Sequence, residues 1–321
     1  MNKTTKKLLK ISIPLLLAVF FGWYTFSRTP ISEITPYFKN ANYGWIALGL
    51  LFGFLSHLSR AYRWKYLIEP MGYTLRFPNS LMAVLITYLS NYGVPRSGEV
   101  LRAAVITNYE NVPFEKGFGT IVAERVADLL ILFIIIGITL IIEFDFILQL
   151  LKDNFPVQKL ITIGILGLII LTVGYFYIKK STSKIALKIK SLFSGLMEGV
   201  FSIFKMKHKW AFIFHTLFIW GMYLAMFYVT TFAVPELDNV SIGAILIAFI
   251  AASFTIAVTN GGIAVYPLAV QKAFSIFAIS ATPSLAFGWI MWTSQTAMVI
   301  ILGSLSFIFL PIYNKSRKKE S

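Results

Sequence analysis

Charges set inside apolar sequence are where this chain could do chemistry, because an ionised side chain near a bilayer centre costs several kcal/mol and defaults to a functional reading. The first such group is GEVLR, residues 98–102, in which Glu99 and Arg102 stand one helical turn apart and Arg96 lies just upstream. A half-helix starting near Ser97 or Gly98 would aim its open N–H groups and positive dipole end at the preceding turn. Gly98, Arg96 and Arg102 together could then bind a phosphate-sized anion. The alternative is an internal Glu99–Arg102 ion pair that satisfies a buried site. The second group is AERVAD, residues 123–128, with Glu124 and Asp128 at i and i+4 and Arg125 three residues before Asp128. Two acids and one base on a span could relay protons or hold a coupling cation. They could equally neutralise Arg96 and Arg102. A third group, His57 and Arg60, shares a helix face near the end of an apolar run, where snorkelling or contact with a lipid headgroup is expected; Arg63 follows one turn on.

Other chemistries lack their residues. The chain has no cysteine, and His57, His208 and His215 are far apart in sequence, so no metal site is expected. GVPRSGE, residues 93–99, lacks the P-loop lysine, and no hydrolase elbow occurs. Neither a cofactor nor a catalytic residue is therefore expected, and the chain does not read as an enzyme.

Elements that could present such charges must interrupt a membrane helix. Within the apolar segment 81–107, Pro95 has no N–H, restricts Val94 and sits among Gly93, Gly98 and charges, so the helix should break there. Each half is too short to span alone, which predicts a re-entrant hairpin whose freed backbone faces protein or a polar cavity. A second break is expected at TNGG, residues 259–262, with Pro267 just beyond. Asn260, Gly261 and Gly262 offer exposed backbone without charge, for close approach of a ligand or of a neighbouring helix.

Composition sets the frame for these elements. At 57% hydrophobic and 13% charged residues over 321, with mean hydropathy +0.74, the chain reads as an all-α, polytopic membrane bundle forming a single transmembrane domain over residues 1–321. The net charge of +15 does not require nucleic acid as a partner, since the lysines cluster at the ends of apolar runs. Read in order, 11–26 is an uncleaved first span starting in the cytoplasm, and 28–43 is an external loop. The run 45–58 returns inward to a basic margin containing Arg60, Arg63, Lys65 and Arg76. Next come the hairpin 81–107, the outward span 118–142, an acidic external loop over 143–155 and the connecting span 160–178.

The stretch 179–209 carries eight lysines and one acid, Glu198, and apolar residues recur through it at helical spacing. An interfacial amphipathic helix on an anionic leaflet and an ordinary packed helix both fit. Spans over 210–234 and 285–310 flank the second broken pair, 241–258 and 263–278, and a basic tail, 311–321, ends on the cytoplasmic side with the N-terminus. Residues 44–142 and 210–310 thus read as two repeats of opposite orientation, each with a broken helix pair, as in secondary transporters.

The succession RAYRWKYLI, NYGVPRSGEVLRA, TIVAERVADLLIL and TNGGIAVYPLAV, within residues 40–310, resembles the flippase-like transmembrane family related to the membrane part of lysylphosphatidylglycerol synthases. The resemblance implies a multi-pass protein of a prokaryotic inner membrane that moves polar lipids between leaflets, without the synthases' aminoacyl-transfer domain. Its motifs fall on Arg60, Arg63, Pro95, Gly98, Glu99, Arg102, Glu124, Arg125 and Asp128. Where the family often has a glutamate after its second glycine pair, this chain has Tyr266 and Pro267, so no acid is carried to the second break.

The expected function is a lipid flippase-type transporter taking an anionic or polar headgroup through a polar cavity between the breaks. Arg96, Arg102, Gly98, Arg60 and Arg63 would meet the anion; Glu99, Glu124, Arg125 and Asp128 would form a charge network or couple a proton. The alternative is a non-transporting accessory protein that holds a lipid for a separate enzyme. Expected partners are anionic phospholipid or a polyprenyl-phosphate-linked lipid, with a second copy of the chain or an enzyme as the protein partner.

Overall fold

The computed structural model describes residues 19–20, 22–27, 29–94, 96–154, 156–183, 185–187, 190, 206–259 and 261–317. Most of the expected first span over 11–26 lies outside these residues. So do Pro95, Asn260, the middle of the basic segment and residues 318–321 of the tail. Every regular element among the described residues is helical. Phe114–Ile142, Lys209–Thr231 and Ala281–Lys315 are each long and apolar enough to cross a membrane, and a bent pair of helices at 31–71 passes the same test jointly. The chain divides into two compact units, residues 1–124 with 210–321, and residues 125–209.

In the larger unit, residues 31–40, expected as part of an external loop, form helix α1 (Ile31–Asn40). Its Ile34 packs with Leu285 and Ala286, and this apolar stripe is what a loop would not bury. The chain then turns by 86° into α2 (Tyr43–Ile68). Asn42 caps α2 through a 3.0 Å bond from the Gly44 N–H, and Pro70 with Gly72, at φ 84°, ends it. The expected basic margin is thus a continuation of helix. Arg60, Arg63 and Trp64 are 3%, 0% and 0% exposed, and His57 is 1% exposed, so neither His57 nor Arg60 snorkels. Guanidiniums enter the bundle here because a carboxylate and aromatic faces await them inside.

The first break falls where expected. Helix α3 (Phe77–Gly93) and α4 (Ser97–Glu110) are separated by a turn in which Arg96 takes φ 59°. The chain doubles back so closely that a side-chain carbon at Gly98 would strike the backbone of Thr87; only glycine permits this crossing. Ala83, Ile86, Ala103 and Ile106 pack the hairpin against Trp64, Ile68 and Ile121. Small residues at such seams matter because, in lipid, close packing rather than water exclusion holds helices together. Helix α5 (Phe114–Ile142) follows and belongs to this unit only through Glu124.

The other half of the unit holds α8 (Lys209–Thr231), α9 (Ile242–Val258), α10 (Val265–Ile276) and α11 (Ala281–Arg317). Helix lengths run 26, 17, 14 and 29 residues in α2 to α5, and 23, 17, 12 and 37 in α8 to α11. The second break also falls where expected, with Gly261, Gly262 and Ala264 at φ 66°, 75° and 59°.

A polar knot ties α3, α4 and α11. Arg76 Nε donates to both Glu110 oxygens at 3.0 and 3.1 Å, and Asn79 donates to Glu110 Oε1 at 2.6 Å. Asn79 and Asn314 exchange amide bonds of 2.9 and 3.0 Å, and Arg76 adds bonds to Asn314 Oδ1 and Tyr109 O.

The smaller unit holds the remainder of α5 with α6 (Phe144–Asn154) and α7 (Val157–Lys180). The expected acidic loop over 143–155 is largely the helix α6. Phe144, Ile147, Leu148 and Leu151 recur at helical spacing, with Asp145 in the first turn and Lys152 in the last to suit the dipole. Lys190 donates from its ammonium to the carbonyls of Lys179 and Ser181, both at 3.0 Å.

Candidate functional site

The hairpin tip is closed by its own side chains. The Gly98 N–H, at the open end of α4, donates to Asn91 Oδ1 at 2.8 Å, and Asn91 Nδ2 donates to Glu99 at 3.3 Å. Ser97 Oγ donates to the carbonyls of Ser90 and Val94, and Thr87 Oγ1 to that of Gly98. A side-chain amide therefore already sits where the sequence placed an anion at Gly98. Arg96 stands outside this lattice: it is exposed and makes no side-chain hydrogen bond or ion pair with a described residue.

Arg102, two turns further in, is 1% exposed. Its Nη1 donates to Glu124 Oε2 at 2.6 Å and Nη2 to Oε1 at 3.3 Å, a bidentate pair, while its guanidinium lies 3.9 Å from the centre of the Trp64 ring. Trp64 is fixed in turn by its indole N–H on Thr120 Oγ1 at 2.8 Å. Arg63 approaches the same carboxylate at 3.9 Å, donates to Thr216 Oγ1 at 2.8 Å and faces the Phe212 ring at 5.1 Å. One carboxylate thus anchors arginines from α2 and α4, and Arg63 links them to α8. The sequence offered Glu99 or Glu124 as partner for Arg102, and a bidentate pair with Glu124 is present. Arg125 and Asp128 sit in the other unit, 3.7 Å apart at i and i+3.

His57 lies one turn before Arg60. Its ring is 4.6 Å from that of Tyr88 and 6.2 Å from that of Tyr223, whose hydroxyls are 3.0 Å apart. Neither imidazole nitrogen has a hydrogen-bond partner among the described residues. Buried polar atoms are nearly always paired, so a histidine left bare between two tyrosines marks a place where packing has not been optimised for stability alone.

The two breaks meet. The Tyr92 ring, at the first tip, lies directly on Gly261 of the second, where any side chain would collide with it, and Tyr92 OH is 3.0 Å from Thr296 Oγ1. Gly261 also accepts the Trp292 indole N–H at 2.7 Å, and Gly262 N–H donates to Thr259 Oγ1 at 3.0 Å. Sequence reasoning missed Tyr88, Tyr92, Tyr223, Thr216 and Trp292. The i, i+4 spacing of Tyr88 and Tyr92, just before the break, was the signal available for two of them. Among the described residues no group of histidine and acidic side chains could hold a metal ion.

The fold and this site define a class: an all-helical, multi-pass membrane protein in which two interrupted helix pairs converge beside buried arginines. Residues 11–303 match the family model described as the lysylphosphatidylglycerol synthase TM region, and the chain belongs to that family. It is 25% identical over 256 residues to the UPF0104 membrane protein MJ1595 of Methanocaldococcus jannaschii, covering 70% of this chain and 75% of that one. A UPF0104 membrane protein of Methanothermobacter thermautotrophicus is 27% identical over 199 residues, 60% of this chain and 54% of its own. Glycosyltransferase AglD of Haloferax volcanii is 27% identical over 111 residues, 34% of this chain but 18% of that protein. No solved structure matches.

Proposed function

We propose that this protein carries a polar, anionic lipid headgroup between leaflets of the membrane at the junction of the two breaks, while the acyl chains stay in lipid. The observation that carries the reading is the contact of Tyr92 with Gly261: two interrupted helix pairs, one from each half of the larger unit, abut at their tips. Interrupted helices meeting near a midplane are how secondary transporters build a site, and the recurrence of long, short, short and long helices fits repeats of opposite orientation. Arg96, exposed at the tip, is the headgroup contact in this reading. Arg63, Arg102 and Glu124 are the framework that fixes the hairpin, and His57, between two tyrosines, is the proton-accepting group for coupling. In this reading the setting is a prokaryotic inner membrane, and the placement of the basic clusters favours both termini on the cytoplasmic side.

The test is exchange of labelled phosphatidylglycerol between leaflets of proteoliposomes. Replacing Arg96 by Ala should slow exchange about tenfold, the worth of one charge-assisted contact, and Arg96→Lys should restore part of it. Parental exchange in a folded Arg96→Ala protein would remove the headgroup from the tip.

A second reading, a lipid-holding module serving a separate enzyme, is favoured by the stretch shared with a glycosyltransferase. Phosphatidylglycerol retained through purification in an Arg96-dependent way, without exchange under any imposed gradient, would select it.

A further inference from the structure

A groove of about 280 Å³ opens between α2 and α8, away from the hairpin tips. Leu55, Leu58, Phe214 and Phe218 form its walls, and Tyr62 with Phe77 stands at one end. Two polar residues also line it, but Ser59 Oγ and His215 Nδ1 hydrogen-bond to each other at 2.8 Å, so the surface left to an occupant is hydrocarbon. Phe214, Tyr62 and Phe77 are 61%, 40% and 39% exposed, so the groove is open along its length.

Its two ends differ. Leu55 and Phe218 leave one end wholly apolar. At the other, the Lys65 ammonium rests 3.8 Å from the Tyr62 ring and 5.0 Å from that of Tyr66. Trp210, 74% exposed, stands one turn before Phe214 on α8. Tyrosine, tryptophan and lysine gathered at one end of an apolar surface are the residues that occupy the headgroup level of a bilayer. Glu69 lies a further turn along, exposed, and its charge reaches Lys65 and Tyr62, but the group seated on the Tyr62 ring at the groove end is the ammonium.

We infer that this groove seats one acyl chain of an anionic phospholipid, with hydrocarbon along Leu55, Leu58 and Phe218 and the headgroup at Lys65. The fit rests on the gradient from apolar wall to cation, which a neutral lipid satisfies only in part and a soluble anion not at all. It rests on the membrane setting and on the headgroup charge proposed above, and does not need transport.

The chain has no cysteine, so Leu58→Cys can carry a single bimane fluorophore, with Phe214→Cys on the opposite wall as a second site and Ile138→Cys on α5 as a lipid-facing control. Proteoliposomes would contain a small fraction of phosphatidylglycerol or phosphatidylcholine with brominated chains, which quench on contact. At Leu58 and Phe214 the anionic lipid should quench about fivefold more effectively, the worth of one lysine at an anionic surface. At Ile138 the two should be equal, and Lys65→Gln should abolish the preference at the groove. Equal quenching by both lipids at the groove positions would reduce the feature to ordinary boundary lipid, and a preference that survives Lys65→Gln would overturn the headgroup placement. A Lys65-dependent preference in a protein that does not exchange lipid sinks the transport reading alone; exchange without any preference sinks this inference alone.

Discussion

At Glu110 one carboxylate receives a guanidinium and an amide, and the side-chain amides of Asn79 and Asn314 bond to each other beside it. At Glu124 one carboxylate is shared by Arg102 and Arg63, with side chains 1% exposed or less, and the histidine that opens the same face of α2 is bare at both nitrogens. Arg76, by contrast, keeps 31% of its side chain exposed. Both regions hold helices together through an arginine and a glutamate. The first is neutral and partly solvated, which is what a clamp needs. The second is fully desolvated and includes an imidazole with no hydrogen-bond partner among the described residues, which stability alone would not retain.

The largest break in this comparison should come from Glu124→Gln. Losing the charge of the shared carboxylate takes this counter-ion from two buried guanidiniums, at a cost of about 3 to 5 kcal/mol, read as a lowered unfolding midpoint in detergent. A loss no greater than that of Glu110→Gln would mean the buried pair carries no more than the clamp. Glu110→Gln itself should cost about 1 to 2 kcal/mol, because the partner arginine is partly in solvent and Asn79 can still bond the new amide. The smallest stability effect should be that of His57→Phe. Ring volume is kept and two unpaired nitrogens disappear, so stability should stay within about 1 kcal/mol of the parent or rise, while proton-driven lipid exchange should fall. A clear destabilisation by His57→Phe would make the imidazole structural, and unchanged exchange would remove it from coupling.

Much of this contrast was legible in the sequence, though unevenly. Pro95 with Gly93 and Gly98, and the TNGG stretch, announced both breaks because glycine and proline act through the backbone, whatever the surroundings. The acidic and arginine residues at the centre were also visible, since charge inside apolar sequence has few explanations. That Glu124 would arrive from the next helix to pair with Arg102 was not legible, because residue spacing sets positions along one helix and not the meeting of two. Arg60 and Arg63 read as a basic margin because positive-inside reasoning counts charges and cannot see that both would be buried, with Phe212, Thr216 and Glu124 receiving Arg63 inside. Helices α1 and α6 read as loops because their polar residues outweighed short apolar stripes that only packing reveals.

Arg96 and Ala264 hold corresponding places at the two tips, each the residue just before the second half-helix, and both take a left-handed conformation at φ 59°. For a residue with a side-chain carbon that conformation lies roughly 1 to 2 kcal/mol above the right-handed one. Two such residues raise the energy of the arrangement described here without loosening any contact in it. The gap to a rearranged pair of tips narrows by the same amount, so a membrane-embedded frame held by an almost solvent-free ion pair retains two places where it is already part of the way towards another shape.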